Sequence, residues 1–297
     1  MRNKEHILNQ NPMDLLMKII TFGIIALIQL VLPEDALAWG PGVHTVIALS
    51  LIKDVSLILP SIAGIIASFP SEYLYGCLAA DFFVGKSKMK KNIHAHNWQG
   101  GFKFLEKAND DRELAYAYGL LSHLAADVVA HNFFVPYMIN AYRPGRKNSH
   151  LYWEIRADYL IGPEYTKIAK DVLNMDHCGC DKLLNKISGK RSMKAKKLMF
   201  TQSVKFSDRA YTTRHMFFPC KTVNHPTFSD YAKFMVGLSS QVLIGFLKHP
   251  ETSPCLHHDP IGMRNLGLAK RNRSLTNFFN PHQSDNSFTV DEKLLEQ

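Results

Sequence analysis

The residues best equipped for chemistry lie in one run, Gly119 to His131, where His123, Asp127 and His131 recur every fourth position among Leu, Ala and Val. On an α-helix of 3.6 residues per turn, such positions span only about 80° of the circumference. Three ligand-capable side chains therefore share one stripe of an otherwise apolar helix. Burying that stripe without partners costs several kcal/mol, so something must satisfy it. A divalent metal does so through imidazole nitrogen and carboxylate oxygen, a donor set that suits zinc. A hydrogen-bonded His–Asp–His ladder in the core is the alternative.

A second stretch, His150-Leu-Tyr-Trp-Glu154, sets an imidazole and a carboxylate one turn apart, and Asp158 follows a turn later. Such pairs are common on helix surfaces. Beside the first run they gain weight, because helix bundles assemble polynuclear metal sites from inward-facing His and carboxylate positions on separate helices. His44 stands near the start of an expected helix, Asp81 closes Gly76-Cys-Leu-Ala-Ala-Asp81, and His94 and His96 precede Trp98 in a loop rich in side-chain donors. Taken singly, each of these also reads as a structural residue.

The elements that must carry these side chains are helical. Apolar periodicity predicts helices over 43–59, 103–107, 113–138, 150–161, 163–174 and 226–248, the last opened by Asn224-His225-Pro226. Strand-type alternation is missing. The expected fold class is all-α, with one multi-helix domain over 39–250 and a polar, partly disordered tail over 251–297. Residues 139–149 form a basic, turn-rich loop. Lys182, Lys186, Lys190, Arg191, Lys194, Lys196 and Lys197 crowd a short segment that reads either as a solvated helix face or as an anionic contact surface.

Composition excludes several classes. The 297 residues are 46% hydrophobic, with 18 Phe and 11 Tyr, which rules out disorder over the whole length. Gly, Pro and Cys are too few for collagen or a disulfide scaffold, and no solenoid period repeats. Neither G-x-S-x-G nor G-x-G-x-x-G is present, and Val84-Gly85-Lys86-Ser87 lacks the upstream Gly of a P-loop. The net charge of +9 favours anionic partners. Five cysteines (Cys77, Cys178, Cys180, Cys220 and Cys255) are an odd number, so at least one lacks an intrachain partner; Cys178 and Cys180 could bridge to Cys220 or Cys255 in an oxidising compartment.

Residues 1–38 read as an export signal: an apolar run interrupted by Lys18 and Gln29, then Pro33, then the small-residue site Ala36-Leu37-Ala38. An uncleaved N-terminal anchor is the alternative. Cleavage after Ala38 would make Trp39 the first residue, raise the net charge to +10 and place the protein in the periplasm or outside the cell.

Ala38-Trp39-Gly-Pro-Gly-Val-His44, the Asp81 segment, the histidine loop before Trp98, His123-x3-Asp127-x3-His131 and His150-x3-Glu154 occur in the order seen in zinc-dependent phospholipase C. Across residues 39–160 the chain resembles that family. The resemblance implies an all-helical bundle of the phospholipase C/S1-P1 nuclease superfamily around three Zn2+ ions, one held by the amine and carbonyl of an N-terminal Trp. Carried over, Trp39 and His44 resemble the ligands of one zinc, with Asp127 bridging to the next. Asp81, His96, His123 and Asp127 resemble the set around the second, and His131, His150 and Glu154 that around the third. His94 competes with His96 for one position. The three residues between Asp127 and His131 form a shorter gap than in the secreted bacterial phospholipases. That gap is similar to the one in the catalytic domain of glycosylphosphatidylinositol-specific phospholipase D, so C-type and D-type cleavage both stay open.

The implied activity is hydrolysis of a phospholipid phosphodiester at a membrane surface, with a zinc-activated water attacking phosphorus and Asp81 orienting or deprotonating that water. Phe82, Phe83, Phe133, Phe134 and Tyr137 would line an apolar mouth or belong to the core. Two rivals remain. An S1/P1-type nuclease would share the cluster and act on nucleic acid, but the resembling nucleases place Asp at the position of Glu154. A non-catalytic zinc-binding protein would use the cluster only to join helices.

Overall fold

Proline opens each of the first three helices, α1 (Pro41–Lys53), α2 (Pro60–Ser68) and α3 (Pro70–Ala79), at a position where its missing N–H leaves no bond unmade. The computed structural model describes residues 39–82, 96–141, 149–188, 190–212 and 226–279, together with residues 288, 290 and 294. Among them there is helix and connection but no strand, and the fold is all-α. The export signal, His94, Phe83, Cys220 and nearly all of the last eighteen residues lie outside the described residues.

Asn97 caps α4 (Trp98–Lys107) by accepting from Gly100 N at 2.7 Å, and Asp110 caps α5 (Asp111–Val129) by accepting from Glu113 N at 2.8 Å. From α5 the chain runs through a π turn, Ala130–Phe134, into α6 (Val135–Ala141). Then follow α7 (Ser149–Ile161), α8 (Pro163–Leu173), α9 (Cys178–Ser188), α10 (Lys190–Thr212), α11 (Pro226–Lys248) and α12 (Met263–Phe279).

The centre of the packing is α5, which α3, α4 and α11 surround. Every residue from Gly119 to Val129 is buried, so this helix is covered on all sides rather than on one face. Helices α3 and α5 cross at Gly76 and Gly119. A Cβ at either would run into the opposing backbone, at Tyr116 O from Gly76 and at Tyr73 O from Gly119. Two glycines thus bring the backbones into direct contact, which later matters for His123.

The structure corrects several expectations. The helix expected over 43–59 stops at Lys53, where Asp54 leaves helical geometry at φ −140° and ψ 67°, and Pro60 then keeps Leu59 extended and starts a helix of its own. Helices α2, α3, α9, α10 and α12 were not visible as periodic segments: the first two are apolar on most sides, and the others are rich in Lys and Asn. The packed body also continues past residue 250. Cys255, Leu266 and Ala269 are buried, and Trp98 Nε1 donates to His258 O at 2.8 Å. Cys77, Cys178, Cys180 and Cys255 are free thiols, so of the pairings the sequence left open none to Cys255 is formed.

Candidate metal centre

Asp127 is the hub. Its carboxylate lies 2.7 Å from His96 Nε2, 3.1 Å from His123 Nε2, 3.3 Å from His44 Nε2 and 3.8 Å from His131 Nε2. Only His123 and His131 are its helical neighbours. His44 arrives from the first turns of α1, and His96 from the residues just ahead of α4. A ladder within one helix would need neither of them.

The remaining candidates stand around this hub. Asp81, in the 3-10 turn Ala80–Phe82 after α3, places Oδ1 3.7 Å from His123 Nε2. The His44 and His123 rings stack at 3.8 Å. On α7, His150 Nε2 and Glu154 Oε1 are 3.0 Å apart, and the His150 ring lies 5.1 Å from that of His131. Three overlapping triads have ligand atoms within 4.8 Å of one another: His44–His123–Asp127, Asp81–His96–His123 and His96–Asp127–His131. The His150–Glu154 pair adjoins these through His131. None of these eight residues is more than 4% exposed.

Their donor chemistry fits a metal. Burial, then the neighbouring His123, pushes His44 below the usual imidazole range, which leaves it neutral with a lone pair to offer. Burial alone would raise Asp127, but the surrounding imidazoles, His123 first, hold it well below the ordinary carboxylate range. His44 Nε2 and Asp127 Oδ1 are both buried and face each other without a hydrogen bond. A neutral His44 beside an ionised Asp127 is the pair of protonation states that zinc requires of these two residues.

Trp39 is delivered by its side chain. The indole is fully buried, stacks on Phe134 at 4.6 Å and donates from Nε1 to Ser239 Oγ on α11 at 3.0 Å. This pins the chain just ahead of α1, one helical turn before His44. The second carboxylate of α7 serves the same helix: Asp158 accepts from Val43 N at 2.8 Å, so it faces the start of α1 rather than the hub. Burial pushes its carboxyl up to about 7 against the hydrogen bonds from the Val43 and Gly42 backbone.

Several supports have no periodic signature. His123 Nδ1 donates to Cys77 O at 2.7 Å across the glycine crossing, which directs Nε2 at the hub. At the other end of the helix, Pro136 has no N–H to give back to the π turn. Asn132 Nδ2 donates instead to Val128 O at 3.0 Å and to Asp259 O at 2.8 Å, while Asn265 Nδ2 donates to Asn132 O at 3.0 Å. Gly262, with φ +61°, lies so close to the His131 carbonyl that no side chain could replace it. Pro136 inside an apolar helical run was the one sequence signal for this break. The expected aromatic mouth is core: Phe82 and Phe134 are fully buried, Phe133 nearly so, and Tyr137 is half-buried against Tyr231.

The family model described as zinc-dependent phospholipase C matches residues 43–206, more than half of the chain. The match takes in His44, Asp81, His96, all three polar positions of the Gly119–His131 run, His150 and Glu154, but stops short of Trp39 and of α12. Searches of the curated proteins and of the solved structures returned no match. The ordered ligand-type residues, the all-helical fold and the family match agree, and the chain belongs to the zinc-dependent phospholipase C family.

Proposed function

We propose that this centre hydrolyses the phosphodiester of a phospholipid, and that His44, Asp81, His96, His123, Asp127, His131, His150 and Glu154, with the backbone of Trp39, hold three zinc ions for the purpose. One observation carries the reading: imidazoles from separate segments converge on Asp127 in a buried site. Bound zinc supplies a Lewis acid for the phosphoryl oxygens and a water whose pKa is lowered to about 7.

The chain's own residues do the rest. Asp127 shares its two oxygens between His44 on one side and His96 and His123 on the other, the geometry of a bridging carboxylate. Cys77 O accepts the Nδ1–H of His123, so Nε2 is the nitrogen turned to the hub. Asp81 is the residue to orient the attacking water and take its proton, since its carboxylate sits at the edge of the ligand set on a short turn of its own. The products of C-type cleavage are a diacylglycerol and a phosphorylated head group. Export and cleavage after Ala38 would free the Trp39 amine, so processing and assembly of the site are linked.

The test is a direct assay of zinc-replete protein beginning at Trp39 on phosphatidylcholine, phosphatidylinositol and single-stranded DNA, with product identification. Diacylglycerol release, lost in Asp81→Asn while zinc is retained, is the expected outcome. Phosphatidic acid would instead assign D-type cleavage. Rapid cutting of DNA with every phospholipid intact would replace the lipid reading by that of a nuclease. Metal analysis giving no zinc after zinc-replete preparation would leave only a polar core.

A further inference from the structure

We propose that the outward face of α10 is a docking surface for an anionic lipid bilayer, a proposal that rests on the phospholipid reading above and names the surface through which that substrate is met. From Lys190 to Ser207, α10 carries Lys190, Arg191, Lys194, Lys196, Lys197 and Lys205 and no acidic residue. A charged helix that is merely solvated usually mixes both signs along its face. The first acid, Asp208, points inward, where Lys170 Nζ of α8 bonds its Oδ2.

The helix has two distinct faces. Met193, Phe200, Val204 and Tyr211 are buried and lie within about 40° of one another at 100° per residue. Opposite them, Lys194, Leu198, Lys205 and Arg209 fall within about 60°, with Met199 further around the same side. Leu198 is 59% exposed and Met199 44% exposed. Among the described residues neither Lys194 nor Lys205 forms an ion pair, whereas Lys197 is turned toward α9 and bonds Asp181. A face that joins cations to exposed aliphatic side chains matches the two components of an anionic membrane interface, charged head groups and acyl boundary. Nucleic acid would call for exposed aromatic rings to stack bases, and none of the exposed large apolar side chains of α10 is aromatic.

Placement supports the assignment. The inner face of α10 packs on α8 and on the 3-10 turn of Asp81, with the Phe200 ring 5.4 Å from that of Phe82. Further along, the Tyr211 ring meets that of Tyr159 on α7 at 5.5 Å. One helix therefore separates the metal centre from the proposed membrane face. No single described helix is long and apolar enough to cross a bilayer, so the contact is adsorption of a face.

The experiment uses the zinc-replete protein beginning at Trp39 and two double variants of it, Leu198→Ser with Met199→Ser, and Lys194→Glu with Lys205→Glu. Co-flotation measures binding to phosphatidylcholine vesicles with and without phosphatidylserine. Turnover is followed on the same vesicles and on a short-chain phospholipid kept monomeric. Each double variant should bind phosphatidylserine vesicles about tenfold more weakly or worse, with vesicle turnover falling in step. Turnover of the monomeric lipid, zinc content and melting temperature should not change. Vesicle binding that ignores both variants would overturn the docking proposal and leave phospholipid hydrolysis standing. Wild-type binding that depends on these residues, with no phospholipid cleaved, would do the reverse. Binding of single-stranded nucleic acid without binding of anionic vesicles would also overturn the proposal and assign the face to nucleic acid.

Discussion

The two ends of the central helix hold their histidines in different ways. At the His123 end, regular helix meets regular helix: Gly76 and Gly119 let the backbones touch, and Cys77 O orients the imidazole. At the His131 end the helix widens into a π turn, Pro136 withholds an N–H, and side-chain amides from Asn132 and Asn265 restore the lost hydrogen bonds. The first support lies inside the matched family region, whereas part of the second comes from α12, beyond it. Close packing alone can aim a ligand on an intact helix. Where the helix is opened to turn a ligand, a distant segment must take over the freed backbone groups.

Four substitutions would break or sharpen this contrast. The largest effect belongs to Asp127→Ala, which removes the carboxylate that both ends share. It should abolish activity and release metal, and zinc affinity should fall well beyond the roughly 10–100-fold typical of losing an outer hydrogen-bond partner. Metal analysis after dialysis checks it, and full zinc retention would show that the hub is not a ligand. Next comes Gly119→Ala, which forces the crossing apart and should cost about 1–3 kcal/mol or more. Thermal melting should shift down by several degrees, and zinc binding should weaken because Cys77 O moves from His123.

Asn265→Ala should divide stability from metal. Leaving the buried Asn132 carbonyl without its donor costs about 1–3 kcal/mol. That loss is local to the π turn, so zinc affinity should drop about 10–100-fold while the melt stays closer to wild type than that of Gly119→Ala. If Asn265→Ala melts lower than Gly119→Ala and binds zinc normally, the two ends are not supported in the way described.

The smallest effect on the centre is expected from Asp158→Asn. Burial raises the Asp158 carboxyl from 3.8 to about 7. Its folded form therefore favours the proton, a contribution to stability that is complete below pH ~4 and is lost as pH rises through ~7. Asn mimics the protonated group and still accepts from Val43 N. In metal-stripped protein the variant should gain stability relative to wild type as pH rises from 4 to 8, as read from denaturant midpoints. A constant difference across that range would mean that Asp158 is ionised throughout.

The sequence by itself determined the helical class, the stripe of His123, Asp127 and His131, and the pairing of His150 with Glu154. These are properties of a repeating backbone geometry, in which a spacing of four residues means one face whatever lies around it. Pro136 carried a signal for a break that the expected unbroken helix over 113–138 passed over. Only the tertiary structure decided which groups meet. It made Asp127 the hub for His44 and His96 from remote segments, sent Asp158 to α1 despite its regular spacing from Glu154, and drew Phe82 and Phe134 into the core. It also packed Cys255, Leu266 and Ala269 into the body beside the end of the ligand helix, although the composition there reads as a tail. Such contacts join positions tens to hundreds of residues apart, and nothing in a local period encodes them. They follow from shape, from burial and from the need to satisfy each backbone group that a proline or a π turn leaves open.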